Sequence, residues 1–375
     1  MRETVFSDLH HLYPDRITHI TNGITVRRWL LQCNPALAAL ISEAIGDSWI
    51  GDAERLADLA PLTRDSAFLE RFRAAKRINK ERLATAVASR LGVSIDPDAM
   101  FDVQIKRMHE YKRQLMNILE AIAQYDAMRA EPTRQWAPRV KIFAGKAAAS
   151  YHRAKLIIKL INDVGQVINN DPVVRDKLRV VFLPNYNVSL AELIIPAADL
   201  SEQISTAGME ASGTGNMKFA LNGAMTIGTF DGANIEIHDH VGAENIMIFG
   251  LSAEDVAARR AEGHDPGANI AACPALAETL EAVRGGVFSP DDPGRYRELI
   301  DDLYRHDYFM VTADFDSYAA TQRAADGLYQ SPAEWARRGL ANTAHMGWFS
   351  SDRAIRDYAR TIWKVAPAMP ERQDG

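Results

Sequence analysis

One segment of the sequence combines the residue types of a phosphate site with a reactive amine. Residues 210–218 read Glu-Ala-Ser-Gly-Thr-Gly-Asn-Met-Lys. Gly213 and Gly215 flank the hydroxyl of Thr214, so backbone N–H groups can approach an anion closely, and a helix that begins here would add its positive dipole end. Lys218 follows, where an amine beside a bound phosphate could form a Schiff base with an aldehyde cofactor. The spacing also fits a plain glycine-rich loop with a solvated lysine, because short glycine patterns have a high false-positive rate.

A second segment, residues 106–113, concentrates basic side chains in an acidic protein. It reads Lys-Arg-Met-His-Glu-Tyr-Lys-Arg and sets five basic or imidazole side chains against one carboxylate, while the whole chain carries a net charge of -6. The segment follows a predicted strand, and α/β proteins bind their ligands at the carboxyl ends of parallel strands. A solvated helix start with salt bridges would show the same residues. The sequence leaves both interpretations open.

Other candidate residues give weaker patterns. Gly145-Lys146 lacks the first glycine and the final hydroxyl residue of a nucleotide-binding P-loop. His109 and His152 have no partners at metal-ligand spacing, so we predict no metal site. Trp29 could belong to the core or to a stacking surface, and the sequence does not decide between them.

The elements that position these residues follow an α/β pattern. Short apolar runs alternate with longer stretches of helical period, which is typical of a parallel sheet covered by helices. The predicted strands span residues 101–105, 140–143, 178–183, 224–229 and 245–249. Between the first two strands, one helical face is marked by Leu115, Ile118, Leu119, Ile122 and Tyr125. A similar stripe before Asp171-Pro172 predicts a second βαβ unit.

Helices are predicted on both sides of this sheet region. Residues 65–90 indicate a long surface helix or a helix pair, and residues 189–195 a short helix that stops near Pro196. Residues 293–346 are mostly helical in pattern. The last predicted helix spans 352–365 with Ser351 as its cap, followed by a frayed tail over 367–375.

Composition restricts the functional classes. The chain has 375 residues, 47% of them hydrophobic and 25% charged, as in ordinary globular proteins. Its negative net charge argues against nucleic acid or an anionic membrane as the main partner. Cys33 and Cys273 are the only cysteines, which fits neither a disulfide framework nor zinc and favours a cytoplasmic location. No run of about 18 apolar residues predicts a membrane span.

Taken together, these segments resemble the α-glucan (glycogen or maltodextrin) phosphorylase family in the same order along nearly the whole chain. The resemblance rests on residues 21–25, 27–29, 101–104, 106–107, 109–114, 189–192 and 195–205. Its most specific part is 210–222, which is similar to the family's pyridoxal-phosphate attachment signature at each defining position. Val26 stands where many members have proline, and Asn187 where animal members usually have arginine; both differences look tolerable.

The resemblance implies a GT-B glycosyltransferase fold, in which two Rossmann-like domains face each other across a cleft. This chain would supply the C-terminal domain. Residues 1–22 would be a crossover segment from a missing N-terminal domain, and 23–350 the Rossmann-like cofactor domain. Residues 351–375 would form a helix that packs back on the missing domain, plus a tail, so that the apolar face of the helix is left exposed here.

The resemblance also assigns roles to individual residues. Lys218 would hold pyridoxal 5'-phosphate as a covalent aldimine. The cofactor's phosphate would be bound by Gly213, Thr214, Gly215 and Lys106, and its ring lined by Tyr186 and Trp29. The substrate phosphate would be gripped by Arg107 and Lys112. The glucosyl unit would contact Asn22, Tyr111, Glu210, Ser212 and Gly213.

The reaction implied is transfer of a terminal α-1,4-linked glucose from the glucan to inorganic phosphate, giving α-glucose 1-phosphate with retained configuration. The cofactor's phosphate would relay the proton, since its second pKa lies near ~6. Lys106, Arg107 and Lys112 would hold the two phosphates together. These three residues and Lys218 are the predicted catalytic set.

The family chain is about twice as long as this one, and full-length members are expected to be homodimers. Three readings follow. The chain is a phosphorylase that acts with a separate N-terminal half, or a non-catalytic fragment that binds the cofactor. In the third, it is a nucleotide-sugar transferase in which Lys218 only binds phosphate; the complete attachment signature disfavours this reading.

Overall fold

The protein is built on one six-stranded parallel sheet, seen in a computed structural model that describes residue 2 and residues 5–366. The strands are β1 (Met100–Ile105), β2 (Arg139–Ala144), β3 (Leu178–Leu183), β4 (Leu200–Gln203), β5 (Met225–Gly228) and β6 (Met247–Ile248). Their spatial order is β3-β2-β1-β4-β5-β6. This is the strand order of a doubly wound, Rossmann-like sheet, whose ligands lie where the order reverses, at β1 and β4.

Helices connect and surround the strands. The α-helices are α1 (Ser7–Leu12), α2 (Pro35–Ile45), α3 (Ser66–Leu91), α4 (Gln114–Ala130), α5 (His152–Asn170), α6 (Val188–Ala197), α7 (Gly215–Leu221), α8 (Ala233–Val241), α9 (Ala253–Glu262), α10 (Pro266–Ala272), α11 (Pro274–Arg284), α12 (Arg297–Arg305), α13 (Val311–Tyr329), α14 (Pro332–His345) and α15 (Ser351–Asp357). Shorter 3-10 segments are Asp47–Ile50, Ala53–Arg64, Glu110–Lys112, Ala243–Asn245 and Met346–Phe349, and π-helical segments are Arg27–Gln32 and Tyr358–Trp363. None of the helices in the described part of the chain is long and apolar enough to cross a bilayer.

The predicted α/β class and most predicted strands are confirmed. The first three predicted strands match β1, β2 and β3, and the fourth matches β5. The fifth is shorter than predicted, because only Met247 and Ile248 pair with β5. Strand β4 was not among the predicted strands. Its buried Ser-Glu-Gln run looks like a loop, but Glu202 accepts hydrogen bonds from Tyr318 and Gln322 at 3.0 and 2.6 Å.

The helix predictions hold with two corrections at helix ends. Residues 65–90 form one helix, α3, whose cap Asp65 accepts the N–H groups of Ala67 and Phe68. Helix α6 ends at Ala197, one residue past Pro196, as predicted. The cap of α15 is Ser350, not the predicted Ser351, and the helix changes to a π-helical turn at Tyr358.

Apolar clusters cover both faces of the sheet. One contains side chains of α3, α6 and α7 against alternate residues of β1 and β2. The other contains side chains of α4, α5 and α13. Because successive strand residues point to opposite faces, β1, β2 and β3 each contribute to both clusters. The sheet is therefore buried on both sides, and its carboxyl edge presents loops to solvent.

The segment around Gly23 is joined to the C-terminal helix. Ile24 forms a parallel bridge with Ser350, and the Arg353 guanidinium donates to the Thr21 carbonyl at 2.9 Å. A Cβ on Gly23 would lie 2.2 Å from the Ser350 carbonyl oxygen, so only glycine fits. The predicted boundaries at 22/23 and 350/351 thus lie side by side. The predicted tail, residues 367–375, lies outside the described residues.

Candidate active site

Lys106 lies at the carboxyl end of β1, where the strand order of the sheet reverses. Its ammonium donates a 2.8 Å hydrogen bond to Oε1 of Gln203, the last residue of the adjacent strand β4. Burial, reinforced by the nearby charge of Lys112, lowers the Lys106 pKa to about 8. A bound anion would favour the charged form and reverse this shift.

The segment after Lys106 is anchored by Arg113, which turns it back toward the strand end. Arg113 has a φ of 56° and is fully buried. Its guanidinium donates to the Ile204 carbonyl at 2.7 Å and pairs with Asp314 at 2.6 Å. These bonds offset the free-energy cost of an unusual backbone conformation and of a buried charge. The short turn Glu110–Lys112 is held in one place as a result.

Lys112 and Tyr111 both contact Glu210, which opens the glycine-rich segment. Lys112 forms an ion pair with Glu210, and the Tyr111 hydroxyl lies 3.4 Å from the same carboxylate. Burial acts to raise the pKa of Glu210, but the hydrogen bond and charge of Lys112 outweigh it and hold that pKa below its usual value. Glu210 is therefore a carboxylate, and it links the two predicted site segments.

The loop between Glu210 and α7 is fixed by the residues that follow β5. Gly213 has a φ of +79°, a conformation that favours glycine. The Asp231 carboxylate accepts the N–H groups of Met209 and Glu210 at 3.1 and 2.8 Å. Gly232 lies so close to this loop that an added Cβ would be 2.7 Å from the Ser212 carbonyl oxygen. The glycines here serve the path of the backbone as well as any ligand.

Lys218 lies in the first turns of α7 against an aromatic ring. Its backbone N–H donates to the carbonyl of Thr214, the residue that precedes the helix, at 3.3 Å. Its ammonium lies 4.1 Å from the centroid of Trp29, a buried residue of the π-helical segment. Burial and then the charge of Arg28 lower the Lys218 pKa. A larger fraction of this amine is neutral near pH 7 than for an ordinary lysine, which suits attack on a carbonyl group.

Most of the predicted site residues lie together. A small cavity of about 10 Å³ at the carboxyl edge is lined by Lys106, Gln203, Ser205, Glu210, Ser212, Asn216, Thr229, Asp231 and Asn234. Through Glu210 this cavity is connected to Tyr111 and Lys112, and the loop of Gly213, Thr214 and Gly215 leads from it to Lys218.

Among the described residues, no hydrogen bond, ion pair or ring contact joins Arg107, Asn22 or Tyr186 to this cavity or to Lys218. Arg107 and Asn22 are exposed, and Tyr186 is half-buried against an apolar cluster, where burial raises its pKa. His109 packs edge-on against Tyr111 and Tyr151 with ring centroids 4.8 and 5.1 Å apart. Within residue 2 and residues 5–366, no three His, Cys, Asp or Glu side chains form a group that could hold a metal.

Six residues of the cavity were not among the predicted site residues, and these are Gln203, Ser205, Asn216, Thr229, Asp231 and Asn234. Gln203 positions Lys106, Asp231 holds the backbone of Glu210, and Asn216 donates to Asn234 at 2.9 Å. Sequence signals were present for Asn216, which lies within residues 210–222, and for Asp231, which follows the predicted strand 224–229 in a Thr-Phe-Asp-Gly run. Gln203 belongs to the strand that the sequence pattern did not reveal.

Comparison with known proteins gives a consistent result. A family model described as carbohydrate phosphorylase matches residues 1–365. The chain is 51% identical to the glycogen phosphorylase of Haemophilus influenzae over 369 residues, which are 98% of this chain and 45% of that protein. It is 47% identical to the brain form of glycogen phosphorylase from Bos taurus and 48% identical to the muscle form from Oryctolagus cuniculus. Each match covers 98% of this chain and 44% of the relative. The chain thus spans about half the length of the curated relatives it matches.

Proposed function

The chain belongs to the carbohydrate phosphorylase family, and we propose that it forms the cofactor-carrying half of an α-glucan phosphorylase. The proposed reaction transfers a terminal α-1,4-linked glucose from glycogen or maltodextrin to inorganic phosphate, and yields α-glucose 1-phosphate with retention. The observation that carries this proposal is the position of Lys218, which follows the glycine-rich loop and whose ammonium lies over the Trp29 ring. The loop lies at the same sheet edge as Lys106 and Lys112.

The residues at this edge fit pyridoxal phosphate. Lys218 offers a half-buried amine with a lowered pKa beside an aromatic wall. Lys106 offers a cation that hydrogen-bonds to an amide rather than to a carboxylate. The backbone of Gly213, Thr214 and Gly215 comes just before Lys218 in the chain. It would hold the cofactor's phosphate together with Lys106. When bound, the cofactor would supply a phosphate that exchanges protons near neutral pH.

The remaining roles rest on charge and position. Arg107 is exposed just beyond Lys106, so it would grip the substrate phosphate together with Lys112. The ion pair of Lys112 with Glu210 would then rearrange or share its cation with the phosphate. Tyr111, Ser212 and Glu210 supply hydroxyl and carboxylate groups of the kind that bind sugar hydroxyls. For Asn22 and Tyr186 the proposal rests on the family resemblance alone.

A second, N-terminal half would complete the site in a GT-B arrangement, whether it is a separate chain or part of a longer one. Exposed apolar side chains in residues 5–12 and in residues 355–365 support this proposal. Val5, Leu12, Ile355, Trp363 and Val365 are each at least half exposed. Exposed apolar residues in this number indicate an interaction surface. The boundaries 1–22, 23–350 and 351–375, the homodimer and the cytoplasmic location stay proposals.

The second candidate function is cofactor binding without turnover. It is favoured by the coverage of the relatives, since the chain matches 45% of the length of the Haemophilus influenzae protein. In that case Lys218 would take up pyridoxal phosphate, but no glucan would be cleaved. A nucleotide-sugar transferase is less well supported, because the Lys218 amine lies over the Trp29 ring.

The attachment site can be tested without an activity assay. We expect that incubation with pyridoxal phosphate, borohydride reduction and peptide mapping will place the cofactor's mass on Lys218. Lys218→Ala should lose the modification and the cofactor's absorbance while keeping its fold, as judged by circular dichroism. Modification of another lysine at equal yield, or an untagged Lys218 in loaded protein, would refute the proposed attachment.

A further inference from the structure

A cavity of about 480 Å³ lies at the amino edge of the sheet, opposite the candidate active site. Its wall includes Asp199 and Gly223, which come just before β4 and β5, and Pro97 and Asp98, which come just before β1. Cavities of roughly 300–1,000 Å³ are typical of small-molecule sites. The proposed phosphorylase reaction does not use this space.

One face of α3 lines the cavity with cations. The spacing i, i+3, i+4 and i+7 brings four side chains to one side of the helix, and these are Arg73, Lys76, Arg77 and Lys80. The carboxylates in the wall are Glu70, Asp98 and Asp199. Within the wall itself the cations outnumber the carboxylates by one, and Glu81, outside the wall, forms a second ion pair with Arg77.

Lys76 is the cation whose charge is least compensated. Arg73 pairs with Glu70, Arg77 with Asp98, and Lys80 with Asp199. The Lys76 ammonium instead donates to two backbone carbonyls, of Ala198 at 2.6 Å and of Asn222 at 2.8 Å. Carbonyl oxygens satisfy its N–H groups but carry no full negative charge.

Burial disfavours the charged form of this ammonium. It lowers the Lys76 pKa to about 8, although the charge of Asp199 opposes the shift. A negative charge placed in the cavity would offset that cost, because an opposite charge favours the protonated lysine. The chemistry of the wall thus favours an anion over a neutral ligand.

Three aromatic side chains also line the wall. The rings of Tyr329 and Trp335 meet edge to face with centroids 5.1 Å apart, and Phe72 adds a third ring. Aromatic walls favour flat apolar ligands, which stack on them or meet their edges. An inorganic anion would leave these surfaces unused.

We propose that the cavity at the amino edge binds a small aromatic carboxylate. The carboxylate lies at Lys76, and the ring lies against Tyr329 and Trp335. This site is separate from the one that contains Lys218, so its test does not depend on the proposed phosphorylase reaction.

Titration of the purified full chain with benzoate tests the assignment, with benzamide as the neutral probe of the same shape. Saturation-transfer NMR should show saturable benzoate binding at least about 10-fold tighter than benzamide binding, which corresponds to 1.4 kcal/mol. Lys76→Met should remove this preference. Lys155→Met is the matched control, because Lys155 is exposed and also donates to a backbone carbonyl. Equal affinity for the two probes would overturn the proposal.

Lys76→Met could unfold the chain, because the Lys76 ammonium donates to two backbone carbonyls. A second variant tests the site without removing these hydrogen bonds. Ala74 is an exposed residue of α3 in the cavity wall, so Ala74→Trp should fill the cavity without disturbing the core. We expect benzoate binding to fall at least 10-fold in this variant with unchanged circular dichroism. Full benzoate affinity in folded Ala74→Trp would place the benzoate elsewhere and refute the site.

Discussion

At the scale of single residues, the account depends on the environment of one amine. Burial against Trp29 is the larger cause of the lowered Lys218 pKa, and the charge of Arg28 is the smaller one. We expect Trp29→Ala to raise this pKa toward its ordinary value of about 10.4, and Arg28→Gln to raise it by less. Acetylation of Lys218 as a function of pH, followed by mass spectrometry, measures both shifts. A larger shift in Arg28→Gln would show that charge, not burial, sets the reactivity.

Arg107 separates substrate binding from cofactor binding. Because it is exposed and lies one residue beyond Lys106, Arg107→Ala should weaken use of inorganic phosphate in the completed enzyme on the order of 100-fold. Retention of pyridoxal phosphate should change little. Phosphate-dependence of the rate and absorbance of the bound cofactor measure the two effects, with Arg90→Ala as a control on an exposed arginine of α3. Equal losses of both properties would mean that Arg107 holds the cofactor.

At the scale of elements, the loop before α7 depends on a backbone conformation that only one of its glycines needs. Gly213 has a φ of +79°, whereas no positive φ occurs at Gly215, where an added Cβ would have 3.8 Å of room. Gly213→Ala should therefore destabilise the chain by about 1–2 kcal/mol, and Gly215→Ala by clearly less. Urea denaturation of both variants measures the difference. Similar losses at the two positions would contradict the role given to the loop conformation.

The sheet carries a buried charge network that can be tested in the same way. Lys141 lies 2.8 Å from Asp102 and 3.0 Å from Glu120, with all three side chains essentially inaccessible to solvent. Lys141→Met leaves these carboxylates with fewer partners, so we expect a loss of about 3–5 kcal/mol in the free energy of unfolding. Lys159→Met breaks the half-exposed pair with Asp163 and should cost below about 1 kcal/mol. A loss below 1 kcal/mol for Lys141→Met would show that the network contributes little.

The elements also show how far sequence reasoning reaches. Strands β1 to β3 were predictable because their apolar runs record burial on both faces. Strand β4 was not, because Glu202 is buried through bonds to Tyr318 and Gln322, more than 100 positions away in the chain. The candidate site divides similarly. Lys106 and Lys218 stand in recognisable motifs, whereas Gln203 matters only through its contact with Lys106, which no local pattern records.

At the scale of the whole molecule, the sheet separates two cation-containing regions. The carboxyl edge holds Lys106, Lys112 and the loop to Lys218, and the amino edge holds the cavity of Lys76. The two regions share Asn222, whose carbonyl accepts from Lys76 and whose amide donates to the carbonyls of Trp29 and Lys218. Changes at the amino edge therefore have a direct hydrogen-bonded connection to the end of α7.

The central claim is that this chain supplies one half of a phosphorylase site. The most direct measurement is release of glucose 1-phosphate from maltodextrin and inorganic phosphate by the 375-residue chain loaded with pyridoxal phosphate. It is made with and without the N-terminal half of the Haemophilus influenzae relative. The account predicts no turnover by the chain alone and turnover when both halves are present. Turnover by the chain alone, or none by a stable complex with Lys218 modified, would contradict it.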